Sequence, residues 1–208
     1  MDAPNTQPTQ DDTRQALLDA AHRQFAERGF YGASIAQIAG EIGLTKQALL
    51  YHFRRKDDLY RVVLKTIADR LLENMRERID PASAPVEQFA DMMLGIYDLA
   101  IANPLDVKLL MRELIEDQRR DAPPEEWFFK TFIEEIVSVL SQVEGMEAVE
   151  HCDKVARVFM ALSAIEYFAA AQSMLTRFYG ADGYEGIARA YPEQLRTMIA
   201  ALAEPGRA

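Results

Sequence analysis

Residues 34–56, SIAQIAGEIGLTKQALLYHFRRK, constrain the fold more than any other part of this chain. They predict two short helices joined by a sharp turn. Ala39 leaves room where the helices cross, and Gly43 tolerates the positive φ that the turn requires. We expect Ser34 and Thr45 to cap the two helices, because hydroxyl oxygens accept hydrogen bonds from free backbone N–H groups at helix starts. The inner faces are predicted to bury Ile35, Ile38, Ile42, Leu44 and Leu49.

The second helix is predicted to begin near Lys46 and to end near Phe53, in basic surroundings. No acidic residue lies between Ile42 and Lys56, and four cations give this stretch a charge of +4: Lys46, Arg54, Arg55 and Lys56. The phosphate backbone of DNA favours such a patch, because bound cations release condensed counterions. An ordinary helical hairpin with a solvated basic face would explain any one of these features alone. Together they predict a helix-turn-helix that binds DNA.

The segment from about Asp12 to Leu64 resembles the N-terminal domain of the tetracycline-repressor (TetR) family. The order and spacing of the following residues carry the resemblance: Phe25, Gly29, Phe30, Ser34, Ile38, Ala39, Gly43, Leu44, Thr45, Leu49, Tyr51, His52, Phe53, Lys56 and Leu59. Three positions depart from the family pattern. Leu50 replaces a Tyr that usually touches DNA, Arg54 stands where Pro is frequent, and Gln47 stands where a small residue is frequent.

The predicted recognition helix assigns roles to the residues around it. Lys46 and Gln47 should reach base edges from its start. The residues expected to hold phosphates and set the register are Thr45, Tyr51, His52 and Lys56. The backbone amides of Ser34 and Ile35, at a helix N-terminus, offer another phosphate site. Leu50 cannot donate a hydrogen bond, so it either contacts a thymine methyl group or makes no base contact.

Helical signals run through almost the whole chain, and no alternating β-branched run is bounded by turn residues. The predicted fold is therefore all-α, with about nine helices. We expect a disordered N-terminal tail at 1–10, a helix-turn-helix DNA-binding domain at 11–57 with its motif at 34–53, and a larger helical domain at 58–208. Beyond the motif the predicted helices are 57–79, 86–102, 105–120, 125–143, 149–179 and 185–202.

Composition limits the function classes. The net charge of −10 is uneven: residues 10–60 hold seven basic and seven acidic residues, whereas 61–208 hold 16 and 25. Like-charge repulsion should keep the acidic part away from DNA. One cysteine and three scattered histidines suggest neither a disulfide nor a metal site, and no cofactor is expected. Because no phosphate loop or nucleophile–base pattern occurs, we expect no enzyme, although a helical enzyme with Glu113 or Glu166 as its base is an alternative.

The ends and the apolar runs of the chain bear on its location. No run approaches the ~18 apolar residues of a membrane span, so we expect no membrane partner. The first ten residues are polar and lack a basic start, unlike a signal peptide. A single cysteine suits a reducing compartment. These features predict a cytoplasmic protein.

The predicted helix 149–179 has two apolar stripes, which indicates burial on more than one side. It is either a central core helix or a helix that also packs on a twofold partner. The family resemblance favours the second alternative and implies a homodimer through the last two helices. Two recognition helices could then enter successive major grooves about 34–36 Å apart on a palindromic operator.

The resemblance also implies a small-molecule effector bound among the central helices, whose binding releases the DNA. Candidate lining residues are Met93, Tyr97, Met111, Glu113, Trp127, Phe128, Phe132, Phe159, Ser163, Glu166 and Tyr167. Glu166 lies in an apolar stretch and needs a partner, either Arg157 or Arg177 across the dimer or a cation or hydroxyl of the ligand. The predicted function is a homodimeric repressor of transcription, and the alternative is an all-α small-molecule-binding module that no longer binds DNA.

Overall fold

The computed structural model describes residues 9–116 and 128–205, and within them the chain forms nine α-helices, one short 3-10 turn and no β-strand. The all-α prediction is therefore confirmed. The helices are α1 (Gln10–Gly32), α2 (Ile35–Glu41), α3 (Lys46–His52), α4 (Lys56–Arg78), α5 (Pro85–Ala102), α6 (Pro104–Glu116), α7 (Phe128–Leu140), α8 (His151–Ala170) and α9 (Gln172–Leu202).

Local sequence signals explain several helix starts. Thr9 and Asp12 form a capping box at α1, in which the Asp12 N–H donates to Thr9 Oγ1 at 3.1 Å and the Thr9 N–H donates to the Asp12 carboxylate at 2.9 Å. Pro85 and Pro104 are the first residues of α5 and α6. A proline suits that position because the first N–H groups of a helix have no partner within it. The predicted break at 80–85 lies between α4 and α5.

The predicted single helix 149–179 is wrong. Helix α8 ends at Ala170, and α9 begins at Gln172 at an angle of 61° to α8. The Ala171 N–H donates to the carbonyls of both Tyr167 and Phe168, at 2.9 and 3.2 Å, which tightens the last turn of α8. A second bend follows at Gly180, whose φ of 75° is outside the helical region. Apolar periodicity continues through both bends, so the sequence pattern did not reveal them.

The structure divides into two compact units at positions other than the predicted boundary at 57/58. The head unit comprises Met1–Ile67 and Lys108–Gln118, and the body unit comprises Ala68–Val107 and Arg119–Ala208. Both α4 and α6 therefore contribute residues to each unit. The first turns of α4 join the head because they bury Leu59, Tyr60 and Leu64.

An aromatic cluster forms the centre of the head unit. Phe25 is fully buried, and its ring lies edge-on to Tyr60 with centroids 4.8 Å apart and stacks on Phe30 at 6.3 Å. The Tyr60 hydroxyl donates to the buried Glu113 carboxylate at 2.6 Å. Arg112 donates to the backbone carbonyl of Ala26 at 3.1 Å. These contacts join the end of α6 to α1 and α4, which explains why a distant stretch of sequence belongs to the head.

In the body unit, α8 packs against α5, α7 and α9. Tyr97 of α5, Phe168 of α8 and Tyr191 of α9 stack, with Phe168 and Tyr191 centroids 3.7 Å apart. The Tyr191 hydroxyl donates to the Ala164 carbonyl at 2.7 Å. A buried carboxylate, Asp106, forms an ion pair with Arg70. The body core is thus mainly apolar and aromatic, and its buried Asp106 is paired with a partly exposed arginine.

Candidate nucleic-acid interface

The turn between α2 and α3 has the predicted geometry. Gly43 has a φ of +73°, and the Leu44 N–H donates to the Ala39 carbonyl at 2.9 Å, which closes the end of α2. Ser34 Oγ accepts from the Gln37 N–H at 3.1 Å, and Thr45 Oγ1 accepts from the Ala48 N–H at 3.2 Å. Both predicted caps are present, so the start of each helix is held by its own neighbouring hydroxyl.

Two glycines three residues apart should respond to substitution with opposite signs. We expect Gly43→Ala to destabilise the protein by about 1–2 kcal/mol, because a Cβ is strained at positive φ even where space is open. Gly40→Ala should instead stabilise it by about 0.5–1 kcal/mol, because Gly40 lies inside α2 with nothing near a new Cβ. Urea denaturation of the two variants checks this. A destabilised Gly40 variant or a neutral Gly43 variant would contradict it.

The inner faces of α2 and α3 pack as the spacing predicted. Ile38, Ala39 and Leu49 have no exposed surface. Ile35, Ile42 and Leu44, also predicted to be inside, are half-buried. The small side chain of Ala39 lies in this contact. The backbone carbonyl of Ala39 accepts the hydrogen bond from Leu44 that closes the turn. The packing fixes α3 on the head unit with its opposite face outward.

The outer face of α3 carries the residues predicted to touch DNA. Lys46 and Gln47 are exposed at its start, and Tyr51 is 76% exposed on a later turn. His52 is half-buried, with its ring edge-on to Tyr51 at a centroid distance of 5.5 Å. Leu50 is also half-buried, and the exposed part of its side chain adds an apolar patch to this face. The outer face of α3 therefore presents polar, cationic and aromatic side chains to solvent.

The four cations of the basic stretch have different environments. The Lys56 ammonium lies over the Phe30 ring, 4.6 Å from its centroid, and burial lowers the pKa of Lys56. Arg54 and Arg55 lie in the bend between α3 and α4 and are exposed, like Lys46. Arg54 and Arg55 were counted in the charge of this stretch but not predicted as site residues. The sequence signal that could have identified them is their position directly after the recognition helix.

The acidic residue of α2 is neutralised by its neighbours on α1. Glu41 is the one acidic residue in positions 28–56. Its carboxylate accepts from Gln24 Nε2 at 2.9 Å and from Arg23 Nε at 2.7 Å, and these two hydrogen bonds lower the pKa of Glu41. They also tie the end of α2 to α1. A phosphate approaching α3 therefore meets no unpaired carboxylate from α2.

The residues predicted to line an effector site do not gather at one place. In the body unit, Met93, Tyr97 and Phe132 are buried in the core, whereas Phe159, Ser163 and Tyr167 are exposed along α8. Met111 and Glu113 belong to the head unit, where Glu113 accepts the Tyr60 hydrogen bond. Trp127 and the side chain of Phe128 lie outside the described residues. The effector site therefore stays a prediction.

Glu166 is half-buried on α8, and burial raises its pKa to about 7. Its two suggested partners are engaged elsewhere in the protomer. Arg157 donates to the carbonyls of Leu202 at 2.7 Å and Glu204 at 2.5 Å, at the end of α9. The Arg177 guanidinium lies over the ring of Phe178, 5.6 Å from its centroid. Glu166 is thus a carboxylate without an ion pair among the residues that the structure describes.

In residues 9–116 and 128–205, no three His, Cys, Asp or Glu side chains are grouped as metal ligands. No single helix of these stretches is both long enough and apolar enough to span a membrane. Helices α8 and α9 together have the required length and hydropathy, but they form a bent pair.

Comparisons with known proteins agree with the motif. Residues 17–63 match the family model described as bacterial regulatory proteins, tetR family. Over 86 residues the chain is 39% identical to the HTH-type transcriptional regulator RutR of Escherichia coli (strain K12), covering 40% of each chain. Over 96 residues it is 27% identical to the HTH-type transcriptional repressor KstR2 of Mycolicibacterium smegmatis (strain ATCC 700084 / mc(2)155), covering 46% of this chain and 47% of the relative. The matches thus span less than half the length of these relatives, which are named as regulators and not as enzymes.

The fold is shared over a longer stretch. The crystal structure of AibR in complex with isovaleryl coenzyme A and operator DNA superposes with a TM-score of 0.66 at 20% identity, covering 94% of this chain and 100% of that chain. At this identity the likeness concerns the fold. The chain therefore shares its fold with AibR over most of its length.

Proposed function

We propose that this chain, which belongs to the tetR family of bacterial regulatory proteins through its residues 17–63, is a dimeric, cytoplasmic repressor of transcription that binds a palindromic operator. The observation that carries the proposal is the outer face of α3. It is exposed, held by the Thr45 cap and the Gly43 turn, and free of unpaired acidic charge from α2. A helix presented in this way fits the major groove.

Dimerisation through α8 and α9 is part of the proposal. Helix α8 buries one apolar face in the body, including Val158, Leu162 and Ile165. Its other side, continued by the first turns of α9, leaves large apolar side chains exposed: Phe159, Met160, Tyr167, Phe178 and Tyr179. Exposed apolar surface of this extent is typical of a protein interface. A second copy of the chain would cover it and present two recognition helices to one duplex.

An effector bound in the body completes the proposal. The complex of AibR with isovaleryl coenzyme A and operator DNA supports an effector for this fold. In this chain, Tyr97 supports a site beside the aromatic stack, because the residue is only 6% exposed and its hydroxyl forms no hydrogen bond with other described residues. Burial is the main cause of the raised pKa of this phenol. A ligand bound there could accept a hydrogen bond from the Tyr97 hydroxyl.

Selection from random duplex DNA tests the proposal. The purified full-length chain is incubated with a random duplex library, retained molecules are sequenced, and the mass of the free protein is measured by sedimentation. We expect a dimer and a palindromic site with half-sites about one helical turn apart. A folded dimer that retains no sequence, both before and after refolding to remove any co-purified effector, would reject DNA binding. A monomer that selects one half-site would reject dimerisation.

Within that site, Gln47 should specify one base position. Exposed at the second residue of α3, it can form paired hydrogen bonds to an adenine edge. Gln47→Ala should reduce discrimination at that position by about 1–3 kcal/mol and leave the other positions unchanged. The same selection repeated with the variant measures this. A uniform loss of affinity with unaltered preference would assign Gln47 to positioning instead.

A further inference from the structure

We propose that Arg54 and Arg55 form a phosphate-binding site at the C-terminal end of α3, so that cations hold the recognition helix in the groove from both ends. The inference rests on the proposed DNA binding and extends it to two residues outside the predicted contact set. It follows from three features: the environments of the cations, the length of α3, and the position of nearby carboxylates.

Neither arginine is engaged within the protein. Arg54 and Arg55 are exposed, and no hydrogen bond, ion pair or ring contact joins either side chain to the described residues. Lys56, the neighbouring cation predicted to bind phosphate, is instead half-buried over the Phe30 ring. Arg14 is also engaged, with its guanidinium 5.1 Å from the centroid of the Phe53 ring. The arginine pair is therefore the available positive charge at this end of α3.

The length of α3 matches the groove that it would enter. Its seven residues span roughly 10 Å, and the major groove of B-DNA is about 12 Å wide. Lys46 is its first residue, and Arg54 lies two residues beyond its last, His52. Cations at both ends of such a helix can reach the phosphates of the two strands that border the groove. Phosphate contacts of this kind fix the orientation of a recognition helix.

The local backbone and chemistry suit a phosphate. The Leu59 N–H donates to the Arg55 carbonyl at 3.2 Å, which attaches the bend to the first turn of α4. Asp57 and Asp58 lie in that turn, where the helix dipole favours them, and among the described residues neither forms an ion pair with the arginines. A guanidinium can bind a phosphate through two parallel hydrogen bonds. The pair thus combines exposure with an anchored backbone.

The salt dependence of DNA binding tests this site. Affinity for the selected duplex is measured by fluorescence anisotropy over a series of KCl concentrations, using full-length protein. Because each phosphate contact contributes about 0.9 to the slope of log affinity against log salt, R54A/R55A should flatten it by about 1.8 per protomer. R54K/R55K should restore the slope, since lysine retains the charge. K108A/K130A removes the same charge from exposed positions on α6 and α7, outside the proposed dimer interface, and should leave the slope unchanged.

Each outcome decides between explanations. A wild-type slope in R54A/R55A would overturn the site. A lysine pair as flat as the alanine pair would also overturn it, because the effect would then come from altered structure rather than charge. Equal flattening by K108A/K130A would assign the effect to net charge alone. Absence of salt-dependent binding by the wild-type protein would reject the proposed function itself, which is a different failure.

Discussion

Phe25→Ala should lower the free energy of unfolding of the head unit by about 3–5 kcal/mol, the cost of emptying a fully buried aromatic site. Phe25 has no exposed surface and contacts the rings of Phe30 and Tyr60, so neighbouring side chains cannot easily fill the space. Tyr60 also donates to Glu113, and a cavity beside it would loosen the contact between α4 and α6. The variant should therefore lose DNA binding without any change at the DNA-facing surface.

Hydrogen exchange of the α1 and α3 amides measures this effect within the head unit. A decrease of about 3–5 kcal/mol in the free energy of unfolding should speed exchange of the most protected amides by about a hundredfold or more, because 1.4 kcal/mol corresponds to a factor of ten. Tyr31→Ala is the matched control, because Tyr31 is an aromatic residue of the same helix but is 77% exposed. Its effect should stay within about 0.5 kcal/mol. Equal protection in both variants would show that the aromatic cluster does not stabilise the head.

Glu166→Gln should stabilise the protein by about 3 kcal/mol at pH 8 and leave its stability almost unchanged near pH 4.5. The reason is burial of the carboxylate on α8, which raises its pKa from 4.5 to about 7 and penalises the charged form in the folded state. At 1.36 kcal/mol per pKa unit, the difference corresponds to about 3 kcal/mol. Glutamine has a similar shape and never carries this charge.

The sign follows from proton binding in the two states. Between pH 4.5 and about 7 the folded protein holds the Glu166 proton and the unfolded chain releases it, so the stability of the wild type falls as the pH rises through this window. Above about pH 7 the full penalty is present in the wild type and absent from the variant. Below pH 4.5 the carboxyl group is neutral in both states.

Urea denaturation of both proteins from pH 4.5 to 8 checks this prediction. Glu193→Gln, an exposed carboxylate on α9, is the control and should show no such pH-dependent difference. If Glu166→Gln destabilises the protein above pH 7, the charged form must have a partner in solution, such as an arginine of a second copy. A response identical to that of Glu193→Gln would contradict burial of this carboxylate.

The sequence alone determined the features that depend on residues close together in the chain. Ser34 and Thr45 cap helices whose N–H groups lie three residues away. The Gly43 N–H donates to the Gly40 carbonyl, and the Leu44 N–H donates to the Ala39 carbonyl. These interactions form within one or two helical turns, so the residue types at fixed spacing specify them. The same holds for the exposed start of α3. The motif, its caps and its outward face could therefore be predicted without a structure.

Tertiary structure decided what depends on distant partners. Tyr60 and Glu113 are 53 residues apart, and Arg112 and Ala26 are 86 apart, so nothing local indicated that the end of α6 belongs to the head. Packing also placed the Lys56 ammonium over Phe30 and left Arg54 and Arg55 free, although all three belong to one basic run. The sequence pattern of apolar and charged residues indicates which side chains can be buried or paired. Which partner each one meets is set by contacts between remote segments, whose energy no local spacing encodes.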